Sequence, residues 1–346
     1  MSMIIQNRFT AWFRRHKILG SLLFLLGVFA TLVATMAFLP FKLQKLPESS
    51  PATSFEVAMM RLQTIIKAQN AQPELMPVCH TKVMSHGEKV ENVIVLFHGL
   101  TSCPEQFAQL GEQFFERGYN VIIPLQPHHG EKDRLNPSLP EMSSEELAQF
   151  ATQYVDIARG LGENVTVAGI SGGGTLTTWL AQTRDDIQTA MPISPFLGIR
   201  FVPTWLNRPV AKLLDKIPNI WMWWDPIKKE DNPFTDAYQY PRYTTKAIAA
   251  YMRLGFVAER TAKVAAPSAK VIVVSNESDL SVNMGVIDQF ISLWREKTGK
   301  GDTDIHIQSY RFDSSLKLPH DIITPQRFEG NTTIVYPKIF ELLGVE

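Results

Sequence analysis

Residues 169–173 read Gly169-Ile170-Ser171-Gly172-Gly173, between an apolar run at 165–168 and a helix-like stretch at 175–182. This short turn restricts the fold more than any other part of the chain. A strand that passes into a helix within five residues fits a sheet with helices packed on its faces. Gly169 and Gly173 let the backbone bend sharply and pass close to its neighbours, along a path that a Cβ would obstruct. Ser171 is then displayed at the tip of the turn. The free N–H groups at the start of the next helix point to the same spot, where negative charge is stabilised. The turn therefore predicts an α/β architecture and a candidate nucleophile together.

The surrounding sequence has the same rhythm. Apolar runs at 90–97, 119–125, 165–168, 189–194 and 270–274 read as strands, and a run at 78–84 reads as a first strand turned back by Ser85-His86-Gly87. Between them lie amphipathic stretches. One opens at Pro104 and stops at Gly118. Another is capped by Ser143 with Glu146 and turns Leu147, Phe150, Tyr154 and Ile157 to one side. Alternation of this kind implies a mostly parallel sheet with helices on both faces. Residues 195–243 break it with many prolines and with Trp205, Trp221, Trp223 and Trp224. A helical pattern returns at 244–263.

A serine hydroxyl needs a base, and the base needs an orienting carboxylate. The strand at 270–274 ends in Ser275-Asn276-Glu277-Ser278-Asp279, at the sheet edge where ligands bind. Asp279 is the expected acid. Glu277 is its substitute, and capping the segment from Val282 is the competing use of Asp279. Residues 304–310 alternate like a strand, and the loop at 314–319 delivers His320 as the expected base. His306 is expected on the sheet face, within that strand. An oxyanion needs preorganised N–H donors. One is expected from Gly172. The other is expected from Leu100, in the loop His98-Gly99-Leu100 after the strand ending at Phe97. His98 is expected to hold that loop rather than to act as a second base.

His98-Gly99-Leu100-Thr101, the strand–Gly-x-Ser-x-Gly–helix unit, Asp279 after an apolar strand and a late His320 together resemble the α/β-hydrolase superfamily. The chain is most similar to its bacterial carboxylesterase and monoacylglycerol-lipase-like members. Pro124-Leu125-Gln126-Pro127-His128-His129-Gly130 resembles a loop that is usually Gly-His-Gly in those enzymes, with His128 in place of the first glycine. The resemblance covers residues 75–346. It implies an α/β-hydrolase fold whose insertion at 195–243 caps the site, an ester or lipid-like substrate, and no cofactor. A serine peptidase, an acyltransferase and a non-catalytic binding protein on the same fold remain open.

The N-terminus is of another kind. Residues 18–39 carry no charge and are long enough to cross a bilayer. Arg8, Arg14, Arg15 and Lys17 precede them, which favours a cytoplasmic tail at 1–17, an uncleaved anchor at 18–39 and export of the remainder. Cleavage near Thr35-Met36-Ala37, giving a secreted protein, is the alternative. Residues 40–74 read as a linker and a short amphipathic helix, with a capping box at Thr53 and Glu56. The 34 basic and 34 acidic residues cancel, so no basic footprint favours nucleic acid. Cys79 and Cys103 both fall in the exported part, where a disulfide is plausible; two buried thiols are the alternative. The histidines lack metal-ligand spacing, so no metal is expected.

Overall fold

The computed structural model describes residues 2–135, 137–232, 236–299, 306–325 and 331–345. Helix α1 (Ser2–Phe38) contains the apolar stretch, and residues 17–32 of it are exposed. Helix α2 (Phe55–Asn70) follows. Its N-cap is Ser54, whose hydroxyl accepts the Val57 N–H, so the cap lies one residue beyond the expected Thr53. Strands β1 (Lys82–Met84) and β2 (Val90–Phe97) lead to α3 (Ala108–Glu116), β3 (Asn120–Ile123), α4 (Ser144–Leu161), β4 (Gly162–Ile170), α5 (Gly172–Thr183) and β5 (Thr189–Ile193). The insertion contributes α6 (Asn207–Lys216), β6 (Trp221–Trp223) and β7 (Arg242–Thr244). Helix α7 (Thr245–Ala262), β8 (Lys270–Asn276), α8 (Met284–Thr298), β9 (Ile307–Phe312) and α9 (Tyr336–Leu343) complete the chain.

Seven strands form one sheet in the order β1-β3-β2-β4-β5-β8-β9, parallel throughout except for β1 at one edge. Both faces are covered, so the inner strands are apolar at nearly every position. Along β2, Val93, Val95 and Phe97 enter the core beneath α4, α5 and α7, while Ile94 and Leu96 enter the core beneath α3 and α9. Because the strands are parallel, the loops that leave β2, β4, β8 and β9 all emerge at one edge.

Three expectations need correction. The stretch 78–84 is not one strand paired with 90–97. Pro77–Cys79 is a 3₁₀ turn, and β1 begins at Lys82. Strand β3 lies between β1 and β2, since a right-handed parallel crossover puts it beside β2. His306 precedes β9 in an exposed turn rather than lying within the strand; Asp304 and Ile305 are outside the described residues. Residues 40–54 are not a loose linker but a docked strap. Phe41 is buried and stacks on Phe256 at 5.0 Å. The N–H groups of Gln44, Glu48 and Ser50 donate to side chains of Glu145, Gln149 and Asp156 on α4.

Candidate active site

Strand β4 ends at Ile170, and Ser171 takes φ 55°, ψ −114° before α5 begins. That backbone region costs a residue with a Cβ about 1–3 kcal/mol. Three bonds hold it there. The Ser171 N–H donates to the Ile193 carbonyl at 3.0 Å, and the Ser171 carbonyl accepts from Thr175 (3.0 Å) and Phe196 (2.9 Å). A Cβ on Gly169 would overlap the Gly173 carbonyl group, and one on Gly173 would overlap the carbonyls of Phe97 and His98. Both glycines are therefore required by close backbone approach.

His320 follows the short turn Ser314–Leu316, and its Nδ1 lies 2.7 Å from Asp279 Oδ2. Asp279 is fully buried, and its Oδ1 accepts the N–H groups of Ser281 (2.8 Å) and Val282 (3.3 Å). It thus serves the turn before α8 with one oxygen and His320 with the other. Burial alone would raise the Asp279 pKa, but the imidazole and the Ser281 N–H bring it below the usual carboxylate range. Burial likewise works against a charged His320, yet the Asp279 carboxylate outweighs it and holds the imidazole above its ordinary value. Glu277 instead accepts the Ser314 N–H at an exposed position. Asn276, a residue sequence reasoning passed over, fastens the histidine loop by donating to the carbonyls of Leu318 (2.7 Å) and Pro319 (2.9 Å). A polar amide at the end of an otherwise apolar strand was its only signal.

The loop after β2 is fixed by a network that reaches far along the chain. His98 is buried, which pushes its pKa down to about 4. Its Nδ1–H donates to the Gly99 carbonyl at 2.9 Å, and its Nε2 accepts the Gln126 N–H at 3.1 Å. The Gly99 N–H donates to Gln106 Oε1, and the Gln106 amide reaches Asp321 beside His320. Tyr251 donates to Gln126 Oε1 at 2.6 Å. His129 is also buried; burial and the nearby His98 hold it neutral, and its Nε2 accepts the Thr101 N–H at 3.1 Å. The Leu100 N–H lies 3.2 Å from where a Cβ on Gly172 would stand, and Gly172 carries the first N–H of α5, with no acceptor inside the helix. The two expected donors thus lie close together, and Gly172 directly follows Ser171 in the chain.

His128 adopts φ 62°, a conformation suited to the glycine usual in related loops. Its ring compensates by bonding Ser138 Oγ at 2.8 Å and Glu146 Oε2 at 2.9 Å. Thr101 is a second strained position, at φ 69°. Besides the His129 bond, its carbonyl accepts the Tyr240 N–H (2.9 Å) and its hydroxyl accepts the Trp224 indole N–H (2.9 Å). Both partners belong to the insertion. Two residues on, Cys103 is joined to Cys79 by a disulfide with a Cα–Cα distance of 5.2 Å.

Ser171, Leu100 and His320 face one cavity of about 710 Å³. The sheet edge forms its floor. Its roof comes from the insertion, with Val210 and Leu214 of α6, then Met222, Trp224 and Tyr243. These roof side chains are predominantly apolar, and Asn232 and Gln239 add polar groups from the same insertion. Among the described residues no cluster of His, Cys, Asp or Glu is placed to hold a metal.

Residues 88–273 match the family described as Serine aminopeptidase, S33 (Hydrolase_4). A thermostable monoacylglycerol lipase from Bacillus sp. (strain H-257) is 23% identical over 240 residues, covering 66% of this chain and 88% of that protein. The monoacylglycerol lipase of Paleococcus ferrophilus superimposes with a TM-score of 0.55 at 20% identity, covering 77% of this chain and 99% of that one. A structure described with the metagenome-derived lipolytic enzymes LipS and LipT gives 0.54 at 16% identity, covering 78% and 99%. The family match runs from just before β2 into β8, more than half of the chain, and the solved neighbours share its sheet: the protein belongs to the Serine aminopeptidase, S33 family and is a serine hydrolase of the α/β-hydrolase superfamily.

Proposed function

We propose that the protein is a membrane-anchored serine hydrolase that cleaves carboxylic esters of lipid-like substrates. The observation that carries this reading is the Asp279–His320 pair opening on the same apolar-roofed cavity as Ser171. Ser171 Oγ attacks the ester carbonyl while His320 takes its proton. Asp279 orients the ring and stabilises the imidazolium. The N–H groups of Leu100 and Gly172 bind the oxyanion. His320 then protonates the departing alcohol, and water activated by the same ring releases the acyl group from Ser171. The chemistry calls on no cofactor. The likeness to monoacylglycerol lipases supports an acyl ester. The apolar segment of α1 supports anchoring with residues 1–17 in the cytoplasm, and the disulfide is consistent with an oxidising compartment for the catalytic part.

Labelling with a fluorophosphonate, read by intact mass, tests the assignment. One adduct is expected on the wild type and none on Ser171→Ala; equal labelling of the two would refute it. The family description favours one second reading, cleavage of an amide. Matched ester and amide substrates with the same acyl group separate the two, and faster turnover of the amide would select the peptidase.

A further inference from the structure

The strap gives the molecule a direction. Helix α4 runs directly into β4, and β4 ends at Ser171. The start of α4 therefore lies at the edge of the sheet where Ser171 is displayed, and its end lies at the far edge, about 27 Å away for an eighteen-residue helix. The strap follows α4 in order. Gln44 meets Glu145, Glu48 meets Gln149, Ser50 and Ala52 meet Asp156, and the Ser54 carbonyl lies against Gly160. The chain thus enters the catalytic domain on the active-site edge and descends away from it.

The entry point is close to the roof of the cavity. Phe38 ends α1, and Phe41 is already buried against Phe256, with Lys212 of α6 4.8 Å above its ring. Three residues reach at most about 11 Å. The same helix α6 lines the cavity with Val210 and Leu214. Beside it, Met222 and Trp224 face the cavity and yet remain 44% and 43% exposed, so they form part of its mouth. Ile220 and Ile227 extend this apolar surface, and Ile227 is 89% exposed.

From this geometry we infer that the strap turns the cavity mouth toward the bilayer, so that the cap residues 220–227 rest in the membrane interface and the substrate is an amphiphile that enters directly from the lipid. The inference rests on the anchored-hydrolase reading and adds to it an orientation, a lipid-contacting surface and a route of entry. Its physical basis is twofold. A short tether keeps the roof beside the membrane, and apolar side chains at the mouth gain by partitioning into the interface. Entry from lipid also spares an acyl chain from crossing water.

The test uses the full chain in phosphatidylcholine vesicles. Cys79 and Cys103 are paired, and the sequence has no other cysteine, so an introduced thiol can be labelled alone. Ile227→Cys and Val264→Cys each receive a nitrobenzoxadiazole probe. Val264 is 82% exposed and lies just before β8, at the far edge of the sheet. The probe at 227 is expected to shift to the blue and to be quenched by spin-labelled lipid, while the probe at 264 stays in water. Equal quenching at both positions, or stronger quenching at 264, overturns the orientation. A blue shift at 227 that appears without vesicles as protein concentration rises assigns the surface to a second copy instead. Failure to co-float with the vesicles refutes the anchor itself, a result distinct from either. In the activity arm, Ile227→Asp is expected to slow hydrolysis of a bilayer-embedded ester about fivefold or more and to leave a water-soluble short-chain ester unaffected. An equal effect on both substrates counts against entry from lipid.

Discussion

In the proposed mechanism His320 acts only when deprotonated, and Asp279 opposes that deprotonation. The acid limb of kcat/KM against pH should therefore lie above the ordinary histidine value in the wild type. Asp279→Asn removes the charge and keeps the shape. With charge centres about 4 Å apart and an effective dielectric near 20, the lost attraction is about 4 kcal/mol, or about three pH units. His320 retains some contact with solvent, with 17% of its side chain exposed, so screening reduces this figure. Burial acts in the same direction once the carboxylate is gone. The acid limb of the variant should move down by about one to three units, while the plateau falls by about 10⁴ because the ring loses its oriented tautomer. The assay is kcat/KM on a soluble ester from pH 5 to 10, with fluorophosphonate labelling rates as a second readout. A lowered plateau with an unmoved limb would show that the titrating group is not the Asp279-paired imidazole.

Three further predictions follow from single contacts. Gly173→Ala should cost more than about 3 kcal/mol, because its Cβ meets backbone carbonyls that cannot yield; thermal unfolding measures this, and an unchanged midpoint would contradict the packing. Asn276→Ala should lower stability by about 1–3 kcal/mol and reduce kcat with little change in KM, since it frees the loop that carries His320. Trp224→Phe and Thr101→Val should each slow turnover, and their double-mutant cycle should return about 1 kcal/mol of coupling; additive effects would mean that the indole bond does not support the oxyanion loop.

What could be read in advance follows from the range of the forces. Buried parallel strands show themselves as unbroken apolar runs, so β2, β4 and β8 were visible from composition along the chain. The Ser171 turn was visible because close backbone approach demands glycine at fixed offsets. Asp279, His320 and Leu100 are expectations from topology, since loops leaving parallel strands converge on one edge. The strap was missed for the opposite reason. Its partners are Glu145, Gln149 and Asp156, about a hundred positions away, and a polar segment that bonds through its backbone has no periodicity to betray it. Pairing of β1 with β3 rather than with β2 was hidden as well, because three residues carry too little pattern to set a partner. The contacts of Thr101 with Trp224 and Tyr240 were equally invisible, since they depend on how the insertion folds back.

In the proposed anchored form, the docked strap also limits where the chain can be cut free of its anchor. Asp156 is buried, paired with Arg184, and takes hydrogen bonds from Ser49 and Ser50; Phe41 fills a slot over Phe256. A cut anywhere from 42 to 54 would strip cover from a buried carboxylate and an aromatic stack. A cut before Phe41 leaves these contacts in place, so a shed form with the catalytic fold unharmed keeps its whole strap.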